Sequence, residues 1–172
     1  MSTTKKAVFT SLCIALCLVL PLLFHSIPGA GIIFLPMYLP VFLCGLTCGW
    51  SHGLVCGLMA PVLSSLLTGM PPPAILPSMT LELALYGALC GILMHFIKMK
   101  SEVAAIEITI IASMLCGRMV SGLCNTFLFG SGPSTLVAWL VASFVHCLPG
   151  IAMLVVLLPV LILVLRKSHM LS

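Results

Sequence analysis

The chain has 172 residues, 62% of them hydrophobic and 6% charged, with a formal net charge of +4 and a mean hydropathy of +1.34. No water-soluble domain of this size hides that much apolar surface, so the bilayer is the solvent for most of it. The positive charge is therefore no sign of nucleic acid; it matches the anionic cytoplasmic leaflet.

The first apolar run, about Val8 to Phe24, follows Lys5 and Lys6 and ends near Pro21 to His25. It resembles a signal h-region, but no small-x-small site follows and further runs do, so it reads as a retained first helix. Ala7, Ser11 and Ala15 stand at i, i+4 and i+8 on it. They make a smooth stripe that another helix can approach closely, either a partner's or one of this bundle. His25-Ser-Ile-Pro-Gly-Ala-Gly31 is a breaker-rich external loop.

The second run spans about Pro36 to Gly49 and the third about Gly53 to Thr68, with Trp50-Ser51-His52 as the inner turn. Both are short for a span of about 20 residues, which loops folding back at membrane depth can accommodate. Gly45/Gly49 and Gly53/Gly57 repeat the small-residue spacing and are expected to serve packing within the bundle. Gly69-Met-Pro-Pro-Pro73 is a second external loop, expected to be stiff and extended.

The fourth run covers about Pro77 to Ile97, and the Lys98 to Glu102 loop follows on the inside. The fifth covers Val103 to Phe129, and Gly130-Ser-Gly-Pro133 forms a third external turn. The sixth runs from Ser134 to Leu165, too long for a straight span, with kinks expected at Pro149 and Pro159. Arg166 and Lys167 close it. Placing every basic cluster in the cytoplasm requires an even number of crossings before each. Four crossings, then two, satisfy that parity. The sequence thus predicts an all-α integral membrane protein, a single membrane domain over residues 1–172. It is a bundle of six transmembrane helices with N-terminus and C-terminus cytoplasmic.

Nine cysteines (Cys13, Cys17, Cys44, Cys48, Cys56, Cys90, Cys116, Cys124, Cys147) all fall inside apolar runs, and no CxxC occurs. They read as small hydrophobes, and neither a metal nor a cofactor is expected. No GxxxxGK[ST] phosphate loop is present, so the chain cannot drive transport with ATP alone.

Polar groups at membrane depth are costly and mark function. Arg118 lies past the midpoint of the fifth run, with Asn125 seven residues on and on the same face. Glu82 and Tyr86 share a face of the fourth run. Trp139, Ser143 and His146 follow helical spacing on the sixth. All fall in the outer half, which implies a pocket open to the outside. Two readings stand: Glu82 and Arg118 pair only to hold helices together, or a ligand engages them.

A chain of this size and span number, with the stripe on its first helix, resembles the substrate-binding S components of energy-coupling factor (ECF) transporters. The likeness extends to Phe34-Leu-Pro-Met-Tyr-Leu-Pro-Val41, Cys44-Gly-Leu-Thr-Cys-Gly49, Ala60 to Pro72, and Leu81-Glu-Leu-Ala-Leu-Tyr-Gly87. The resemblance implies that Ala7, Ser11 and Ala15 dock on a membrane T component, with Ser11 in a place the family's motif gives to a small residue. It implies a vitamin or precursor bound near the outer surface, two ATPase subunits as the energy source, a prokaryotic cell membrane, and no enzymatic activity.

The residues themselves describe a compact, polar, heteroaromatic ligand. Arg118 offers five donors and suits a carboxylate, phosphate or heterocycle carbonyl, Glu82 accepts from ring N–H or amino groups, Asn125 does either, Tyr86 or Trp139 can stack, and His146 is a further contact. Two other classes compete: a small membrane enzyme acting on lipid or prenyl groups, and a structural subunit. The enzyme lacks the acidic pair such chemistry needs at the inner face, where Glu102 and Glu107 are the only acids.

Overall fold

The computed structural model describes residues 2–24, 37–69, 71–73, 75–97, 101–128 and 148–167. The expected His25 to Gly31 and Gly130 to Pro133 loops, Lys98 and Lys100, and the first half of the sixth run lie outside them. Six helices make up the described chain: α1 (Thr3–Phe24), α2 (Tyr38–Cys48), α3 (Trp50–Thr68), α4 (Leu76–Phe96), α5 (Glu102–Leu128) and α6 (Leu148–Lys167). No strand occurs among the described residues. Helices α1, α3, α4 and α5 are long and apolar enough to cross a membrane. Helix α2 has 11 residues, about 16 Å at 1.5 Å per residue, roughly half of a hydrocarbon core.

The turn between α2 and α3 differs from expectation. Trp50, Ser51 and His52 form the first turn of α3, and Gly49 alone reverses the chain, at φ 96° and ψ 176°. Side-chain-bearing residues avoid that backbone conformation, and glycine reaches it without strain. The Gly49 N–H still bonds the Gly45 carbonyl (3.2 Å) and its carbonyl accepts from Gly53 (3.0 Å), so neither helix loses its ladder at the reversal. At the other end of α3, Ser65 Oγ donates to the Pro71 carbonyl (3.0 Å). The Pro72 carbonyl accepts from Ile75 and Leu76. That bends the chain into α4 where an extended rod was expected, because the first N–H groups of a helix need acceptors.

Helices α3 and α4 run antiparallel in contact so close that backbone meets backbone. A Cβ on Gly53 would strike the Gly87 carbonyl, one on Gly57 the Leu83 carbonyl, and one on Gly91 the Trp50 backbone. Gly45 of α2 also lies against the Gly87 carbonyl. Gly45, Gly53 and Gly57 therefore pack within the bundle, as their spacing predicts, whereas Gly49 serves the turn. Close approach of this kind is how apolar helices gain van der Waals contact when lipid removes the hydrophobic drive between them.

Five cysteines converge between α1, α2 and α3. Cys13, Cys17, Cys44, Cys48 and Cys56 are all buried, with side-chain contacts linking Cys44 to Cys13, Cys48 and Cys56, and Cys17 to Cys56. All five are free thiols. Cys44 Sγ donates to Thr10 Oγ1 (3.6 Å) and Cys17 Sγ to the Met37 carbonyl (3.6 Å). They fill the junction as small polarizable groups.

Candidate functional site

The buried charge of the bundle lies where α2 and α4 begin and α5 approaches its end. Arg118 is the 17th residue of α5 and is buried, with Ser121 Oγ donating to its carbonyl (3.3 Å). Its Nε stands 3.8 Å from Glu82 Oε1 on α4. Tyr86, one turn further along α4, donates its hydroxyl to the same carboxylate oxygen. The sequence pairing of Glu82, Tyr86 and Arg118 is therefore realised in space, since α4 and α5 run antiparallel and bring those turns level.

The Tyr86 ring has no exposed surface. Phe42 of α2 stacks on it (centroids 5.4 Å, planes 20° apart) and Tyr38 tilts against it (5.5 Å, 45°). On the α5 side the ring edge fills the space that Gly117 leaves open. Tyr38 is in addition a side-chain hydrogen-bond neighbour of Glu82. Tyr38 and Phe42 escape the sequence reading although they stand four residues apart on one helix, the same spacing that singles out Glu82 and Tyr86. Aromatic residues in an apolar run look like lipid-facing bulk until their neighbour is known.

Asn125 is on α5 seven residues beyond Arg118, but its side chain lies outside the described residues, as do Trp139 and His146. Nothing here places those three relative to the pair.

A second feature occupies the opposite end of the antiparallel bundle. Ala7, Ser11 and Ala15 are exposed on α1, while Phe9, Thr10, Cys13 and Cys17 on its other face are buried. The stripe thus stays clear of the described bundle's own packing. Ser11 Oγ donates back to the Ala7 carbonyl (3.0 Å), so the hydroxyl hugs its helix and the stripe stays smooth. A groove of about 350 Å³ runs beside it, with Ala7, Thr10, Ser11 and Ile14 on one wall and Ser51, His52 and Val55 of α3 on the other.

An all-helical membrane protein with an acid–base pair at depth and a smooth outer helix face is the class that fold and site define. The chain belongs to the family of ECF transporter substrate-specific components, whose profile matches residues 5–162. Neither a curated protein nor a solved structure matches it.

Proposed function

We propose that this substrate-specific component binds a water-soluble vitamin or vitamin precursor at the outer face of a prokaryotic plasma membrane. In that reading residues 1–172 form one domain of six spans with both termini cytoplasmic. The chain carries no enzymatic activity and hands its ligand to a T component driven by two ATPases. The observation that carries the reading is the Glu82–Arg118 pair, held at membrane depth where three helices meet. Charged groups in that position are expensive to keep and mark substrate sites. Glu82, Tyr86 and Arg118 form the described part of the site, and Asn125, Trp139 and His146 complete it. The exposed stripe of Ala7, Ser11 and Ala15 supports α1 as the docking helix for the T component.

The test is to purify the full chain gently and identify what it carries by mass spectrometry. A stoichiometric small polar molecule, lost in the Arg118→Ala protein, is the expected result. A correctly folded Arg118→Ala protein that retains the molecule at wild-type affinity reduces the pair to structural glue.

A further inference from the structure

The groove beside the α1 stripe has two unlike walls. On α1, Thr10 Oγ1 donates to the Lys6 carbonyl (2.8 Å) and Ser11 Oγ to the Ala7 carbonyl (3.0 Å). Both hydroxyls are turned onto their own helix, so this wall offers a partner shape and little chemistry. The α3 wall offers an imidazole. His52 lines the groove half-buried, and its Nδ1 lies 3.3 Å from Ser51 Oγ. That leaves Nε2 as the other hydrogen-bonding atom of the ring.

A helix that settles on Ala7, Ser11 and Ala15 also covers this groove and expels whatever solvates it. A polar atom sealed under apolar side chains is costly unless the incoming surface supplies its hydrogen bond. The partner therefore needs a polar side chain level with His52. The charges around the groove select its kind. Lys5 and Lys6 stand immediately before Ala7 on α1. His52 is in the first turn of α3, which no side chain caps, and the open N–H groups of such a turn carry partial positive charge. Among the described residues, no acid lines the groove. Glu102 and Glu107 belong to α5, which packs on α4 and α6, and Glu82 pairs with Arg118.

Building on the reading of α1 as the docking helix, we propose that this groove receives a T-component helix bearing a carboxylate side chain, which accepts from His52 Nε2. The stripe sets how near that helix comes. His52 sets its register and which helix is accepted.

The experiment expresses the tagged full chain in cells with its T component and both ATPases, and measures how much T component copurifies. His52→Leu should recover about a tenth of the wild-type amount, because the partner's carboxylate is left unpaired. The unfolding midpoint of the full chain alone in nanodiscs should stay unchanged. His52→Gln keeps an N–H donor on a side chain of similar reach and should restore most of the recovery. His52→Glu should recover least, because two carboxylates then meet. An acid suits the first turn of a helix, so this variant carries the test if His52→Leu does not fold. Ser11→Leu is the reference for the docking face. Wild-type recovery by a folded His52→Leu or His52→Glu protein, beside a loss in Ser11→Leu, overturns the proposal and leaves α1 as the docking helix. So does an equal loss in His52→Leu and His52→Gln. Wild-type recovery in every variant, Ser11→Leu included, overturns the proposal together with the docking reading beneath it.

Discussion

The hydroxyl of Tyr86 can reach Glu82 only because its ring lies flat between two helices. Phe42 takes one face, and Gly117 provides the gap for the edge. A methyl group at position 117 would collide with that edge, and overpacking of this kind costs about 1–3 kcal/mol. Gly117→Ala should lower stability by that order in a denaturant titration and weaken ligand binding with it, because the ring can yield only by leaving Glu82. Tyr86→Phe separates the two effects. It keeps the ring and removes one donor, so stability should fall by about 1 kcal/mol while binding falls further. Equal wild-type affinity in Tyr86→Phe would mean that the hydroxyl does not orient Glu82. Arg118→Ala should cost roughly 2–5 kcal/mol in binding, since it leaves a buried carboxylate without its cationic partner. The Tyr86 ring keeps no exposed surface, so stacking on a ligand would require Phe42 or Tyr38 to move aside.

At the scale of helices, the stripe on α1 and the glycine seam between α3 and α4 have the same spacing and opposite fates. Both were legible as close-approach surfaces, because small residues at i and i+4 admit no other strong reading in an apolar helix. The glycine pairs were read as internal packing, whereas spacing alone left the α1 stripe open between a partner's helix and one of this bundle, since that depends on which side of α1 the five thiols claim. Ser11→Leu or Ala15→Trp should leave ligand binding by the isolated chain intact and reduce uptake by cells. If binding and uptake fall together, the stripe has an internal role. Gly53→Val should instead disrupt the bundle itself, seen as loss of a cooperative thermal transition, because the bulk would meet the Gly87 backbone. The turn before α3 escaped the sequence for a different reason: Trp50-Ser51-His52 looks like a polar break, but one glycine with positive φ is enough to reverse the chain.

Over the whole molecule, α3, α4 and α5 alternate in direction, as their glycine and charge contacts require. Pro73→Cys should gain labelling by a membrane-impermeant maleimide added outside intact cells. Labelling of that position only from the cytoplasmic side would invert the proposed topology. Composition and charge spacing revealed the solvent and the number of apolar runs, because both follow from transfer energies that act residue by residue. The partners of Tyr86 were hidden, because they depend on how α2 settles against α4 and α5, which no single-helix pattern encodes.

The thiol junction gives the protein a clock. Cys13, Cys17, Cys44, Cys48 and Cys56 keep at most 2% of their surface. A membrane-permeant alkylating reagent should therefore reach the five only when α1 swings away from α2 and α3. If reclosing outruns alkylation, the slow rate measures the free energy of that opening. Comparing it with and without the T component would report whether docking tightens or loosens the grip of α1 on the body that carries the ligand. Mass spectrometry resolves the modified peptides, so a chain built from ordinary residues already contains its own opening sensor.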